Sequence, residues 1–230
     1  ESEFRRGVPC LHARLGVPIA INAGDAMQAI AFRLLRRNVE DLGPETAWRI
    51  FDEFDHLLTQ SLEGQALELG WIRDNSFGVG ADDYLRMCLK KTCWYSFIHP
   101  CRIGALIARP GEEGLDLDAF NAFGFYLGAA FQIQDDILNL AGSRESYGKE
   151  IGGDIYEGKR TLMLVRLAEL ASPADRQRLS AFLAKPRIQR QPGEIAWVHS
   201  LMEQHGTIDF ARKSAQSLAA LARAAFERAF

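Results

Sequence analysis

The segment AFNAFGFYLGAAFQIQDDILNL, running from Ala119 to Leu140, decides how the rest of the chain reads. It carries no charge from Ala119 to Gln134, then sets Asp135 and Asp136 side by side before returning to Ile137 and Leu138. The charge-free run is short for a membrane span and is broken by Asn121, Gln132 and Gln134, so a buried core helix is the better reading. On a helix, Gln132, Asp136 and Asn139 fall along one edge at spacings of four and three, and Asp135 lies one turn before Asn139. Adjacent carboxylates on a buried helix repel one another and lose hydration, so they need cations to stay ionised. Magnesium suits them, because it prefers oxygen ligands and keeps water and substrate phosphates in its shell. A helix emerging into solvent with two surface aspartates is the competing reading, and this segment alone does not choose between them.

The residues that follow shift the balance. YGKEIGGD spans Tyr147 to Asp154, and EGKRT spans Glu157 to Thr161. Lys149, Asp154 and Lys159 therefore come soon after the diacidic helix. Lysine acts on phosphate oxygens as a point charge, and glycine lets a backbone approach closely. Asp154 fits the water shell of a metal. A Gly-Lys-rich loop standing alone is a solvated turn; one that follows a buried Asp-Asp pair is a better diphosphate site. Arg5-Arg6-Gly7 is a second basic cluster, and Lys90-Lys91-Thr92 a third, on a helix that also carries Trp94, Tyr95 and Phe97. Lys90 is read as facing solvent. The Walker-type phosphate loop and the Rossmann glycine signature are both absent, so a nucleotide reading has little support.

Helical periodicity dominates elsewhere, with almost no β-type alternation. Helices are expected from Pro18 to about Arg37, interrupted at Gly24-Asp25; from Pro44 to Leu69; from Asp82 to Ala108; and from Thr161 to Leu170. Along the second of these, Trp48, Phe51, Phe54, Leu58, Leu62 and Leu69 recur at helical steps. Asp116 or Asp118 can cap the long helix, Ser172 caps another ahead of Pro173, and Gly206-Thr207 opens an Ala-rich terminal helix. Residues 72–80, 141–158 and 185–192 are expected loops. The fold class that emerges is all-α: one large single-domain bundle of seven or eight helices. A hydrophobic fraction of 47% against 25% charged residues is globular, and 230 residues bury a substantial core without staples. The net charge of -3 excludes a typical nucleic-acid binder, so an anionic ligand must be held by local basic clusters. Cys10, Cys88, Cys93 and Cys101 form no close pair and no His cluster joins them, which argues against zinc and for reduced thiols in a cytoplasmic protein.

Arg5-Arg6-Gly7-x-Pro9, Gly24-Asp25, Gly64-Gln65, Lys91-Thr92, the Gln132-to-Asn139 segment and Gly148-Lys149…Asp154…Lys159 occur in an order and spacing that resembles the trans-isoprenyl diphosphate synthases, the polyprenyl synthetases. The match runs along the whole chain. The resemblance implies a helical bundle around a deep central apolar cavity, a homodimer, and magnesium-dependent condensation of isopentenyl diphosphate with an allylic diphosphate to a longer trans-prenyl diphosphate. It implies that Arg5 grips the allylic diphosphate and Arg6 the isopentenyl diphosphate. Lys91, Lys149 and Lys159 hold the allylic diphosphate, while Thr92 and Gln132 face the reacting centre. Asp135 ligates magnesium, Asp136 and Asp154 support its shell, and Asn139 adds a neutral oxygen where many members have Asp. Asn at that place resembles geranylgeranyl synthases, although the sequence does not fix product length.

Other readings on the same scaffold are a weakly active or non-catalytic partner subunit and a terpene cyclase. Arg6 and the Gly-Lys loops favour a two-substrate enzyme over the cyclase. The sequence opens on Glu1 without Met, and the family's first Asp-rich helix is not in it. The expectation is a domain lacking its N-terminal helices, whose parent protein carries Asp-Asp-x-x-Asp just before Glu1.

Overall fold

A computed structural model describes residues 3–5, 7–112, 114–141 and 152–230. Strands β1 (Phe4–Arg5) and β2 (Val8–Pro9) pair antiparallel, with Phe4 opposite Pro9 and Arg5 opposite Val8. The remaining regular structure among the described residues is helical: α1 (Leu11–Leu15), α2 (Val17–Leu42), α3 (Pro44–Arg73), α4 (Ala81–Cys88), a π-helical segment (Leu89–Ile98), α5 (His99–Ala108), α6 (Ala119–Ala141), α7 (Gly153–Glu157), α8 (Leu162–Leu170), α9 (Pro173–Leu183), a 3-10 turn (Arg187–Gln189), α10 (Pro192–Gln204) and α11 (Thr207–Ala229). The all-α expectation holds. Among the described residues no helix is long and apolar enough to cross a membrane.

Helix α6 is the axis of the bundle, packed along α11 and the π segment and touching α4 and α7. Ala129, Ile133, Ile137 and Leu140 are buried at steps of four, four and three, so its apolar stripe faces the core as the period demands. Asp136 and Asn139 are buried with them, whereas Phe131 and Leu138 are exposed. Ser172 caps α9 as expected, its hydroxyl accepting from the Asp175 N–H at 3.1 Å. All four cysteines are free.

Helix α4, the π segment and α5 form one rod without a break, where the sequence predicted a plain α-helix. A π segment adds residues to a helical turn, which apolar periodicity does not register. Backbones close in on it from two sides. A Cβ on Gly128 of α6 would lie 2.7 Å from Cys93 Sγ and 2.8 Å from its Cα. One on Gly64 of α3 would lie 2.5 Å from the backbone N of Lys91. The seam with α3 is otherwise polar: His99 Nδ1 meets Glu53 at 2.6 Å, His99 Nε2 meets His56 Nδ1 at 2.9 Å, and Lys90 donates to Gln60 at 3.0 Å.

Three readings are corrected. Gly24-Asp25 does not interrupt a helix; α2 runs through both. Lys90 turns onto Gln60 and Glu63 rather than lying free along a solvated face. The stripe of α3 begun by Trp48 is not its buried face: Trp48, Leu62 and Leu69 are exposed, while Ile50, Leu57, Gly64 and Glu68 are buried. The buried face turns small and polar at Gly64 and Glu68, where it meets Lys91 of the π segment, and Phe51 and Phe54 pack instead on Phe32 of α2.

Candidate active site

A cavity of about 860 Å³ opens where α3, α4, α6, α7 and the residues after α9 converge. Asp135, Asp136, Asn139, Asp154, Lys159, Lys91 and Gln132 all line it, as does Arg5 from the β1–β2 hairpin. Residues spread over more than 150 positions of sequence are thus drawn to one wall system. Arg6 and Lys149 lie outside the described residues.

Thr92 is buried and is not among the residues that line the cavity, but a hydrogen-bonded chain joins it to the cavity wall. The Thr92 hydroxyl donates to Gln132 Oε1 at 2.8 Å, and Gln132 Nε2 donates to Asp136 Oδ1 at 2.8 Å. The Tyr84 hydroxyl donates to Asp136 Oδ2 at 2.8 Å. Gln132 and Asp136 meet because they are four apart on one helix, as their spacing requires. Tyr84 was not anticipated: it is 1% exposed, and in sequence it reads as one more aromatic core residue.

Opposite stands the short helix α7, formed inside a stretch expected to be loop. Its start is pinned to α6 twice: Gly152 N–H donates to the Asn139 carbonyl at 2.7 Å, and Asp154 N–H donates to Asn139 Oδ1 at 2.9 Å. Asp154 in turn accepts from the Lys159 ammonium at 2.7 Å, and Lys159 also meets Glu157 at 3.1 Å. Lys91 meets Glu68 at 2.5 Å. Each described lysine expected to contact a diphosphate therefore rests on a carboxylate that an incoming anion would displace.

Burial, with the Asp154 charge nearby, pushes the Asp136 carboxyl up to about 7. Burial also raises Asp154, against the pull of Lys159. Burial disfavours the Lys159 ammonium, but the Asp154 carboxylate more than offsets it and the lysine is raised above its usual range. Folding therefore takes up protons at Asp136 between the ordinary carboxylate range, near 3.8, and about 7. Stability of the ligand-free protein should fall as pH rises through that window, because there the folded state binds more protons than the unfolded. Asp136→Asn removes the ionisable group, so thermal melts between roughly pH 4 and pH 7 should lose part of their slope, the raised Asp154 keeping the rest. A slope equal to that of the wild type would place the proton elsewhere.

The carboxylates fit magnesium as members of a shared shell. Among the described residues no three His, Cys, Asp or Glu side chains converge closely enough to hold a metal by themselves. A cation that keeps water and phosphate oxygens in its shell suits such a wall, and it would offset the burial and the Asp154 charge that raise Asp136.

The polyprenyl synthetase family model matches residues 1–202. Among curated relatives, the geranylgeranyl diphosphate synthase of Sulfolobus acidocaldarius is 36% identical over 177 residues, covering 77% of this chain and 52% of that protein. The short chain isoprenyl diphosphate synthase of Methanothermobacter thermautotrophicus is 33% identical, covering 92% of this chain and 61% of its own. A geranylgeranyl pyrophosphate synthase from Corynebacterium glutamicum, solved in complex with isoprenyl diphosphate and magnesium, superposes with a TM-score of 0.85 at 26% identity, covering 98% of this chain and 66% of that one. The chain spans between about half and two thirds of the length of these relatives. The family match covers most of the chain, and the likeness in fold runs over nearly all of it; the chain belongs to the polyprenyl synthetase family.

Proposed function

We propose that the full-length protein condenses isopentenyl diphosphate with an allylic diphosphate to give a longer trans-prenyl diphosphate. The observation that carries this reading is the meeting of Asp135 and Asp136 on α6 with Asp154 and Lys159 of the α7 region across one cavity. Its relatives named as geranylgeranyl and short chain isoprenyl diphosphate synthases support it.

Asp135, Asp136 and Asp154 would hold magnesium, with Asn139 as a neutral oxygen donor beside them; when bound, the metal supplies positive charge against the departing diphosphate. Lys91 and Lys159 exchange their carboxylate partners, Glu68 and Asp154, for diphosphate oxygens. Arg5 adds charge from the hairpin, and the family pattern gives Lys149 the allylic diphosphate and Arg6 the isopentenyl diphosphate. As the allylic C–O bond breaks, the oxygens of Thr92 and Gln132 lie near the carbon cation and stabilise it as fixed dipoles. The isopentenyl double bond forms the new C–C bond, and the proton it loses leaves with the released diphosphate. A homodimer belongs to the same proposal; α2, none of whose residues is buried, presents Ile21, Met27 and Leu34 to such an interface.

Product analysis of the full-length protein tests the reading. Incubation with magnesium and an allylic diphosphate should yield an elongated prenyl diphosphate only when isopentenyl diphosphate is added. A cyclised hydrocarbon formed without it would make the protein a terpene cyclase. No turnover with either mixture would favour a partner subunit.

A further inference from the structure

Arg160 and Arg190 are 4% and 6% exposed beside the cavity, and their donors go to neutral oxygens. Arg190 joins the end of α7 to the end of α9: it donates to the carbonyls of Ile155 at 3.1 Å and Tyr156 at 2.7 Å, and to those of Leu183 at 2.7 Å and Lys185 at 3.0 Å. Arg160 joins the turn after α7 to the loop between α3 and α4. It donates to the Gly158 carbonyl, to the Ser76 carbonyl at 3.1 Å and to Asn75 Oδ1 at 2.7 Å. Asn75 itself has φ +46° and donates onward to the Ser180 carbonyl at 3.1 Å, so the anchor is tied to α9 as well.

Between these two clamps lies Gly158, at φ +72°, with a would-be Cβ 2.8 Å from both Arg190 Nη atoms. Only glycine meets both conditions. Lys159 follows directly. The Arg160 side chain reaches back two residues to the Gly158 carbonyl and so encloses the backbone of Lys159 in a closed turn. The Lys159 N–H completes it by donating to the Asp154 carbonyl at 3.0 Å. Burying guanidinium groups without carboxylate partners is costly, and both pKa values are lowered, by burial first, with Arg160 brought to about 10. What they secure is the place of one turn.

We propose that Arg160 is a positioning residue for diphosphate binding: by locking the Gly158 carbonyl to residues 75–76 it aims the Lys159 ammonium into the cavity beside Asp154. This rests on the reading of Lys159 and Asp154 as part of the diphosphate site. Lysine keeps the charge but carries one nitrogen where arginine spreads three, so it cannot bridge Gly158, Ser76 and Asn75 together.

Calorimetric titration of inorganic pyrophosphate with magnesium into the full-length protein tests this, using Lys159→Ala, Arg160→Met, Arg160→Lys and the double variant Lys159→Ala/Arg160→Met. Arg160→Met should weaken binding about tenfold, and Arg160→Lys nearly as much. The double variant should bind within about threefold of Lys159→Ala alone, because the arginine acts through the lysine. Additive losses, or full affinity in Arg160→Lys, would overturn the positioning role while leaving Lys159 in the site. Wild-type affinity in Lys159→Ala would remove Lys159 from the site, and this inference with it. Should Arg160→Met fail to fold, the double variant Lys159→Ala/Arg160→Lys carries the same comparison.

Discussion

Asp135→Asn in the full-length protein is expected to cut condensation by about a thousandfold with the fold intact. The change removes one charge and almost no volume. Asp136 is held by Tyr84 and Gln132, one to each oxygen, so the scaffold fixes its direction. Asp135 is half-buried on the same wall and faces the cavity one residue earlier. A metal shell completed by phosphate oxygens depends on each carboxylate that the protein contributes. Steady-state rates with both substrates, read beside thermal melts, check this result. Rates near wild type with an unchanged melt would take Asp135 out of the metal set.

Gly64→Ala is expected to destabilise the protein by about 3 kcal/mol, at the upper end of overpacking costs. For a chain of this size that is a fall in Tm of roughly 6–12 °C. The added Cβ would lie 2.5 Å from the Lys91 backbone N and 2.8 Å from its Cα. Backbone atoms cannot rotate aside as a side-chain tip can, so α3 and the π segment must part. Lys91 would then leave Glu68, and Thr92 would shift against Gln132, so the KM for the allylic diphosphate should rise in the same variant. A melt within about 1 °C of wild type would mean that the α3 seam yields at little cost.

How much of this was legible in the sequence differs from element to element. Helix α6 was legible because its burial follows the 3.6 period and its carboxylates interrupt an apolar run. The caps at Ser172 and the boundary at Pro44 follow from local chemistry and came out as read. The packing face of α3 was hidden, since it buries Glu68 and Gly64 while exposing Trp48 and Leu62, against the usual sorting of apolar residues. The π segment was hidden because an apolar helix with a wider turn has the same composition as one without. Tyr84, Arg160 and Arg190 were missed because their function depends on partners 52, 85 and 35 positions away. A basic, proline-bounded stretch such as 185–192 reads as solvated loop, and only tertiary structure reveals a buried guanidinium within it. The assignment of the cavity residues themselves came from the order of short motifs, whose common wall no single motif could display.

The π segment also places chain length, as distinct from composition, under constraint. Were the same ten residues to wind as α-helix, each would turn by about 100°, more than on the wider π turn, so everything beyond Ile98 would rotate out of place. His99 would swing off Glu53, and Arg102 would leave the same carboxylate, which it meets at 3.0 Å. Tyr95 is 61% exposed in that segment and open to many side chains. At Tyr95 the winding depends on a residue being present more than on its side chain, whereas Lys91 and Thr92 of the same segment also hold Glu68 and Gln132.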